Sequence, residues 1–171
     1  MKITVLMKTG LIGLLLSVLA GCQSAPRGLT AEQIGVLKEQ GFRLTDEGWT
    51  LDFSNRVLFA NDSEALNPGT RVLVEKLGMT LLGVGLNKAR IDGHTDSNGP
   101  EAYNDQLSLK RAKSVADVLV SVGMQPANLD IRGRGQRDPV ADNKTAAGRA
   151  ENRRVGIIIM SSPEIGLHIF G

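Results

Sequence analysis

The stretch IDGHTDSNGPEAYNDQLSLKRAKSV, residues 91–115, decides the fold and contains the candidate functional site. Apolar residues predict a strand over residues 87–93, and a glycine-flanked turn then holds His94 and Asp96. A long helix is predicted over residues 100–122, where Gly123 ends it. Because a turn between a strand and a helix is held by a rigid scaffold, its polar side chains indicate a binding site.

The predicted long helix carries an arginine on its apolar face. Apolar positions recur in it at steps of three and four residues, namely Tyr103, Leu107, Val115, Val118 and Val122. Arg111 lies on the same line, four residues from both Leu107 and Val115. A guanidinium group keeps its charge when it is buried, so Arg111 needs an anionic partner.

The residues alone leave two interpretations of Arg111 open. In the first, Arg111 is structural, and it either forms an ion pair with Asp96 or extends its charged end to solvent. In the second, Arg111 binds a ligand carboxylate, and Asp96 accepts hydrogen bonds from a ligand ammonium group. The second interpretation predicts a zwitterionic ligand, such as a free amino-acid end.

The rest of the chain continues the alternation of strands and helices. We predict a half-buried strand over residues 49–53, a short apolar run at 57–59, strands at 128–134 and 152–160, and a polar loop at 138–148. A helix is predicted to begin at Pro68. Its expected apolar face consists of Val72, Leu73, Leu77, Leu81 and Leu82. This order predicts an α/β (α+β) sandwich with a mixed sheet.

The amino-terminal residues MKITVLMKTGLIGLLLSVLAGC predict an exported lipoprotein. Lys2 and Lys8 precede an apolar run over residues 11–20, which is about half the length that a membrane-spanning helix needs. This pattern is typical of a signal peptide, here residues 1–21. The sequence Leu-Ala-Gly-Cys resembles the bacterial lipobox and implies lipid, including palmitate, on Cys22. Gln23 in place of an aspartate favours the outer membrane, with the protein facing the periplasm.

Charge and reactive residues argue against several functional classes. Removal of the signal peptide takes away two lysines and leaves 18 basic and 18 acidic side chains, which does not favour nucleic-acid binding. With one cysteine, the chain forms no internal disulfide. His94 and Asp96 could supply two metal ligands, and His94 could act as a base. However, the chain has only two histidines and no zinc-protease or serine-hydrolase motif, so we expect no enzyme, metal or cofactor.

The segment between the lipid and the domain carries more apolar surface than a tether requires. Residues 22–29 form the predicted lipidated tether, and residues 30–48 a short helix and linker. Thr30 and Gln33 occupy the positions of a capping box. The apolar residues of the segment are Ile34, Leu37, Phe42 and the adjoining Trp49. Because so short a helix is marginal alone, it needs either its own domain or a partner protein to pack on.

Three motifs carry a family resemblance. GHTDSNG (93–99), YNDQLSLKRA (103–112) and GRAENRRV (148–155), in this order and spacing, resemble the OmpA-like carboxy-terminal domain. That family binds peptidoglycan non-covalently, and the resemblance covers residues 49–160. It implies that Asp96 and Arg111 hold the diaminopimelate end of the stem peptide. The further peptidoglycan-binding residues that it implies are Asn61, Asp62, Asn104 and Arg154.

Further motifs extend the resemblance towards signalling. LTAEQI (29–34), QGF (40–42), DEGW (46–49) and ADNKTA (141–146) resemble a lipoprotein branch of this family. Its members sequester a periplasmic repressor and so release an inner-membrane diguanylate cyclase, which implies Leu37, Phe42 and Trp49 as partner-binding residues. The alternative is a purely structural anchor between the outer membrane and the cell wall. A homodimer and the role of the tail, residues 161–171, stay open.

Overall fold

The computed structural model describes residues 28–59 and 66–160. The predictions for the signal peptide, Cys22, Asn61, Asp62 and the tail therefore lie outside the described residues. The helices are α1 (Ala31–Glu39), α2 (Asn55–Leu58), α3 (Pro68–Gly83), α4 (Glu101–Ser121) and α5 (Ala146–Asn152). The strands are β1 (Arg43–Thr45), β2 (Gly48–Ser54), β3 (Ala89–His94), β4 (Leu129–Gly135) and β5 (Arg154–Ile159).

The five strands form one mixed sheet in the order β1-β2-β5-β3-β4. Strands β3 and β4 are parallel, because α4 carries the chain back across the sheet between them, and the other neighbours are antiparallel. Helix α4 packs on β3 and β4, and α3 packs on α4. The predicted α/β fold with a mixed sheet is therefore confirmed.

Two glycines let α4 lie directly on the sheet. A Cβ atom at Gly93 of β3 would stand 2.0 Å from the carbonyl oxygen of Ser108, and one at Gly133 of β4 would stand 2.7 Å from that of Asp105. The hydroxyl group of Ser108 also accepts a hydrogen bond from the backbone N–H of Gly135, at 3.0 Å. The amino-terminal half of α4 is thus fixed against the end of β3, where the candidate site lies.

The predicted apolar faces of the two long helices are partly wrong. Val72 and Leu73 of α3 are 61% and 55% exposed, and Tyr103 of α4 is 59% exposed. The buried face of α3 consists of Thr70, Val74, Leu77, Gly78 and Leu81. A Cβ atom at Gly78 would stand 2.7 Å from Val122, so this glycine marks the contact between α3 and α4. A search for large apolar residues overlooks such a contact.

The amino-terminal segment packs on its own domain. The predicted capping box is present, since Thr30 accepts from the backbone of Gln33 and the Gln33 side chain accepts from the Thr30 N–H. The Gln33 amide also donates to the carbonyl oxygen of Val84, beyond the end of α3, at 2.9 Å. Leu37, Phe42 and Trp49 are all buried in the core. The three predicted partner-binding residues are therefore covered in this conformation.

Strand β1 and helix α5 were not predicted from the sequence. Strand β1 has three exposed residues and lies in the predicted linker, where it pairs with β2. Helix α5 begins at Ala146, inside the predicted polar loop, and Thr145 caps it by accepting from the backbone N–H of Gly148. Both elements are too short for hydrophobic periodicity to reveal them.

Candidate functional site

The turn after β3 holds Asp96 in a fixed orientation. Its side chain is only 9% exposed, and one carboxylate oxygen lies 2.6 Å from Nη1 of Arg153. The other oxygen accepts a hydrogen bond from the backbone N–H of Asn98 at 3.0 Å, which closes a local turn. The cation that the structure gives Asp96 is therefore Arg153, whereas the sequence had suggested Arg111.

Asn104 lies behind this turn and holds it to α4. The Asn104 side chain is buried, and its amide nitrogen lies 3.3 Å from the carbonyl oxygen of Asp96 and 3.0 Å from that of Asn98. It also lies 3.2 Å from the side-chain oxygen of Gln136, at the end of β4. Because its amide contacts the carbonyl groups of the turn, Asn104 positions the backbone of Asp96.

Arg111 is buried on the sheet side of α4, as the helical spacing predicted. It is 8% exposed, and its guanidinium carbon lies 5.5 Å from the ring centre of Phe59, a distance typical of a cation–π contact. Phe59 forms an isolated β-bridge with Leu66. Asn61 and Asp62 lie between these two residues in the sequence, outside the described residues.

A buried asparagine fixes the loop on the other side of the turn. Asn152 has no exposed surface; it accepts from the backbone N–H groups of Val140 and Ala141, at 2.8 and 3.0 Å, and donates to Asn143. The side-chain oxygen of Asn143 also accepts from the backbone N–H of Ser97 at 3.2 Å. The loop is thereby attached to the Asp96 turn, and Arg153, which follows Asn152, reaches the Asp96 carboxylate.

Arg154 does not join this group. Its Nε atom lies 3.5 Å from Asp52, and its Nη2 atom donates to the carbonyl oxygen of Asp138. It lines a cleft with Asp92 and His94 on the sheet face away from α4. Neighbouring residues at the start of a strand point to opposite faces, so one arginine of the Asn-Arg-Arg motif faces each side. The family resemblance had implied Arg154, and the motif itself does not tell Arg153 and Arg154 apart.

His94 is poorly suited to act as a base or as a metal ligand. Burial and, to a smaller extent, the positive charges of Arg154, Arg134 and Arg90 lower the pKa of His94 from its usual value to about 3. The ring is therefore neutral at neutral pH. Within residues 28–59 and 66–160, no group of three or more His, Cys, Asp or Glu side chains could hold a metal ion. No helix in this part of the chain is long and apolar enough to span a membrane.

Known proteins resemble this chain over most of its length. The outer-membrane lipoprotein YfiB of Pseudomonas aeruginosa is 54% identical over 143 residues, which cover 82% of this chain and 85% of that protein. The cell wall anchor of the T6SS from Pseudomonas aeruginosa has a TM-score of 0.63 and 28% identity, and the match covers 80% of this chain and 99% of that one. The peptidoglycan-associated lipoprotein from Burkholderia pseudomallei has a TM-score of 0.54 and 29% identity, and the match covers 60% of this chain and 86% of that one.

These similarities confirm the predicted outer-membrane lipoprotein character and the fold class. The relatives are named as lipoproteins and cell-wall proteins rather than as enzymes. A model described as the OmpA family matches residues 58–153, which is more than half of the chain. The chain therefore belongs to the OmpA family.

Proposed function

We propose that this lipoprotein binds peptidoglycan non-covalently, through the zwitterionic diaminopimelate end of the stem peptide. The observation that supports this most is the presence of a buried, oriented carboxylate at Asp96 and a buried guanidinium at Arg111. Side chains of a helix lean towards its amino terminus, so Arg111 extends from α4 towards the Asp96 turn. A carboxylate has about four acceptor positions, and Arg153 and Asn98 use two of those on Asp96. The others are available for a ligand ammonium group.

The proposed roles differ in part from those that the resemblance implied. Arg111 binds the ligand carboxylate, and Arg153 orients Asp96 and offers a second donor, since its side chain is 35% exposed. Asn104 holds the turn, and Asn61 and Asp62 contribute from the segment between Phe59 and Leu66. Arg154 is not part of this proposed site, because it lines the cleft on the other sheet face.

The proposal is tested by sedimentation of the purified lipoprotein with isolated sacculi. Loss of one partner of a desolvated charge pair typically costs about 2–5 kcal/mol, so Asp96→Ala and Arg111→Ala should each lower the affinity about 30-fold or more. Lys113→Ala is the matched control, because Lys113 lies on the same helix, is 64% exposed and pairs with Asp117. Retention of both site variants at the wild-type level would contradict the proposal.

We propose a second function for the amino-terminal segment, the sequestration of a YfiR-like periplasmic repressor that releases a diguanylate cyclase for c-di-GMP signalling. The resemblance supports this proposal, and because Leu37, Phe42 and Trp49 are buried in the domain, it requires that the segment be released. Burying a large apolar side chain contributes roughly 1.5–3 kcal/mol, and few such contacts hold the short helix α1 in place. A partner with a complementary apolar groove could therefore compete for the segment.

This second proposal distinguishes a state in which the segment packs on the domain from one in which it is released, and variants that favour either state test it. Leu37→Pro should release the segment and increase repressor binding, while Lys38→Ala, at the exposed neighbouring position, should not. Phe42→Ala and Trp49→Ala should weaken repressor binding and leave sacculus sedimentation unchanged. If those two variants bind the repressor as tightly as the wild type, the function reduces to a structural anchor between the outer membrane and the cell wall.

A further inference from the structure

A cleft of about 270 Å³ lies on the sheet face opposite α4. Its floor is formed by Asp92 and His94 of β3, Arg134 of β4 and Arg154 of β5. Its rim carries Glu47 from the β1–β2 turn and Asp138 from the loop after β4. A water molecule occupies about 30 Å³ in the liquid, so the cleft has room for roughly nine non-hydrogen atoms.

The floor presents polar atoms that the protein itself does not satisfy. Nδ1 of His94 and Nε of Arg134 and Arg154 are buried and have no hydrogen-bond partner among the described residues. His94 is 6% exposed, and the side chain of Arg154 is 10% exposed and has its Nε atom 3.5 Å from the carboxylate of Asp52. Arg134 has carboxylates at 3.1 to 4.0 Å, yet its guanidinium forms no hydrogen bond with proper geometry in this part of the chain. Buried polar groups in proteins are usually hydrogen-bonded, so these three point to a ligand.

The cleft holds charges of both signs: Arg134 and Arg154 lie beside the buried Asp92, and Asp46, Glu47, Asp52 and Asp138 also line it. Burial lowers the pKa of His94 most, and the positive charges of Arg154, Arg134 and Arg90 also lower it, so the ring has cations as neighbours. Arg90 already engages the buried Asp92 carboxylate through Nε, at 3.1 Å to each oxygen. The rim carboxylates of Glu47 and Asp138 pair with Arg90 and Arg134 respectively, but they remain 53% and 49% exposed. A ligand with an inner carboxylate and an outer ammonium group would match this arrangement.

We propose that this cleft is a second ligand site, which binds a small zwitterion of the size of an amino acid or dipeptide. The ligand carboxylate accepts hydrogen bonds from Arg134 and Arg154 and from the neutral ring of His94. The ammonium group donates to the rim carboxylates of Glu47 and Asp138. This site lies across the sheet from Asp96 and does not depend on peptidoglycan binding.

Histidine-selective isotope labelling tests this proposal directly, because the chain has two histidines, His94 and His168. The full lipoprotein in detergent micelles is titrated with glycine, D-alanine and D-alanyl-D-alanine, and the ring signals are followed by NMR. At least one of these probes should give a saturable shift of the His94 signal and leave His168 unchanged. Acetate and methylamine, which each carry one of the two charges, should bind about tenfold more weakly or worse.

Matched variants decide whether the cleft is responsible. Arg134→Gln should weaken probe binding about tenfold or more, because it removes charged donors. Arg132→Gln is the control on the same strand, since Arg132 is 44% exposed, pairs with Asp130 and does not line the cleft. Asp96→Ala should bind the probes normally even if it loses sacculi, which separates this site from the proposed function.

Three results would overturn the proposal. The first is the absence of a saturable His94 shift up to about 50 mM probe, where a ligand with a millimolar Kd would be bound. The second is acetate binding as tightly as glycine, which would mean that the cleft recognises a simple anion. The third is an equal loss of binding in Arg132→Gln and Arg134→Gln.

Discussion

Replacement of the two adjacent arginines, Arg153 and Arg154, should have opposite consequences for peptidoglycan binding. Arg153 lies 2.6 Å from the Asp96 carboxylate, and removing it leaves a nearly buried acid without that cation. A hydrogen bond to a charged group contributes about 1.5–3 kcal/mol, and the partial exposure of Arg153 favours the lower half of that range. Arg153→Ala should therefore weaken binding about 10- to 30-fold.

Arg154→Ala provides the internal control. Its contacts with Asp52 and Asp138 belong to the other sheet face, so the variant should lower the free energy of unfolding by about 1–2 kcal/mol. Its affinity for sacculi should stay within about twofold of wild type. Sacculus sedimentation over a range of protein concentrations, with Tm measured in parallel, distinguishes the two effects. Equal loss of sedimentation by both variants, at matched Tm, would refute the assignment of Arg153 to the site.

Three further predictions concern helix α1, the lipidation site and His94. Leu37→Pro breaks α1 and should raise the affinity for a YfiR-like repressor, measured with purified partners; an unchanged affinity would contradict a covered interface. Cys22→Ser should abolish lipid attachment and leave unprocessed precursor, and a mature form in the outer-membrane fraction would argue against the lipobox. The pKa of His94 is lowered in the folded state, so the unfolded chain binds the extra proton first as the pH falls. The free energy of unfolding should therefore decrease by up to about 1.4 kcal/mol per pH unit as the pH decreases from about 6.5 towards 3. His94→Gln should have a shallower dependence in urea titrations, and an identical slope would contradict the pKa shift.

The sequence was sufficient for features that depend on local periodicity or local hydrogen bonds. The buried position of Arg111 followed from its spacing between Leu107 and Val115, and the structure confirms that burial. The capping box of Thr30 and Gln33 followed from residue types alone and is present. The mixed sheet followed from the order of the predicted elements.

Features that depend on close approach between distant segments could not be predicted in this way. Gly78, Gly93 and Gly133 set the contacts of α4 because a side chain there would collide with its neighbours, and no periodic pattern marks them. The choice between Arg153 and Arg154 depends on which face of the sheet each side chain meets at the start of β5. That assignment requires the register of β5 against β2 and β3, which one sequence does not provide.

The most direct test of peptidoglycan recognition is calorimetric titration of the lipoprotein with two soluble stem peptides. One peptide ends in diaminopimelate and the other in lysine, which lacks the second carboxylate that Arg111 is proposed to bind. We expect saturable binding of the diaminopimelate peptide, binding of the lysine peptide that is about tenfold weaker or more, and no measurable binding by Asp96→Ala or Arg111→Ala. Equal affinity for the two peptides, or undiminished binding by both variants, would contradict the proposed zwitterion site.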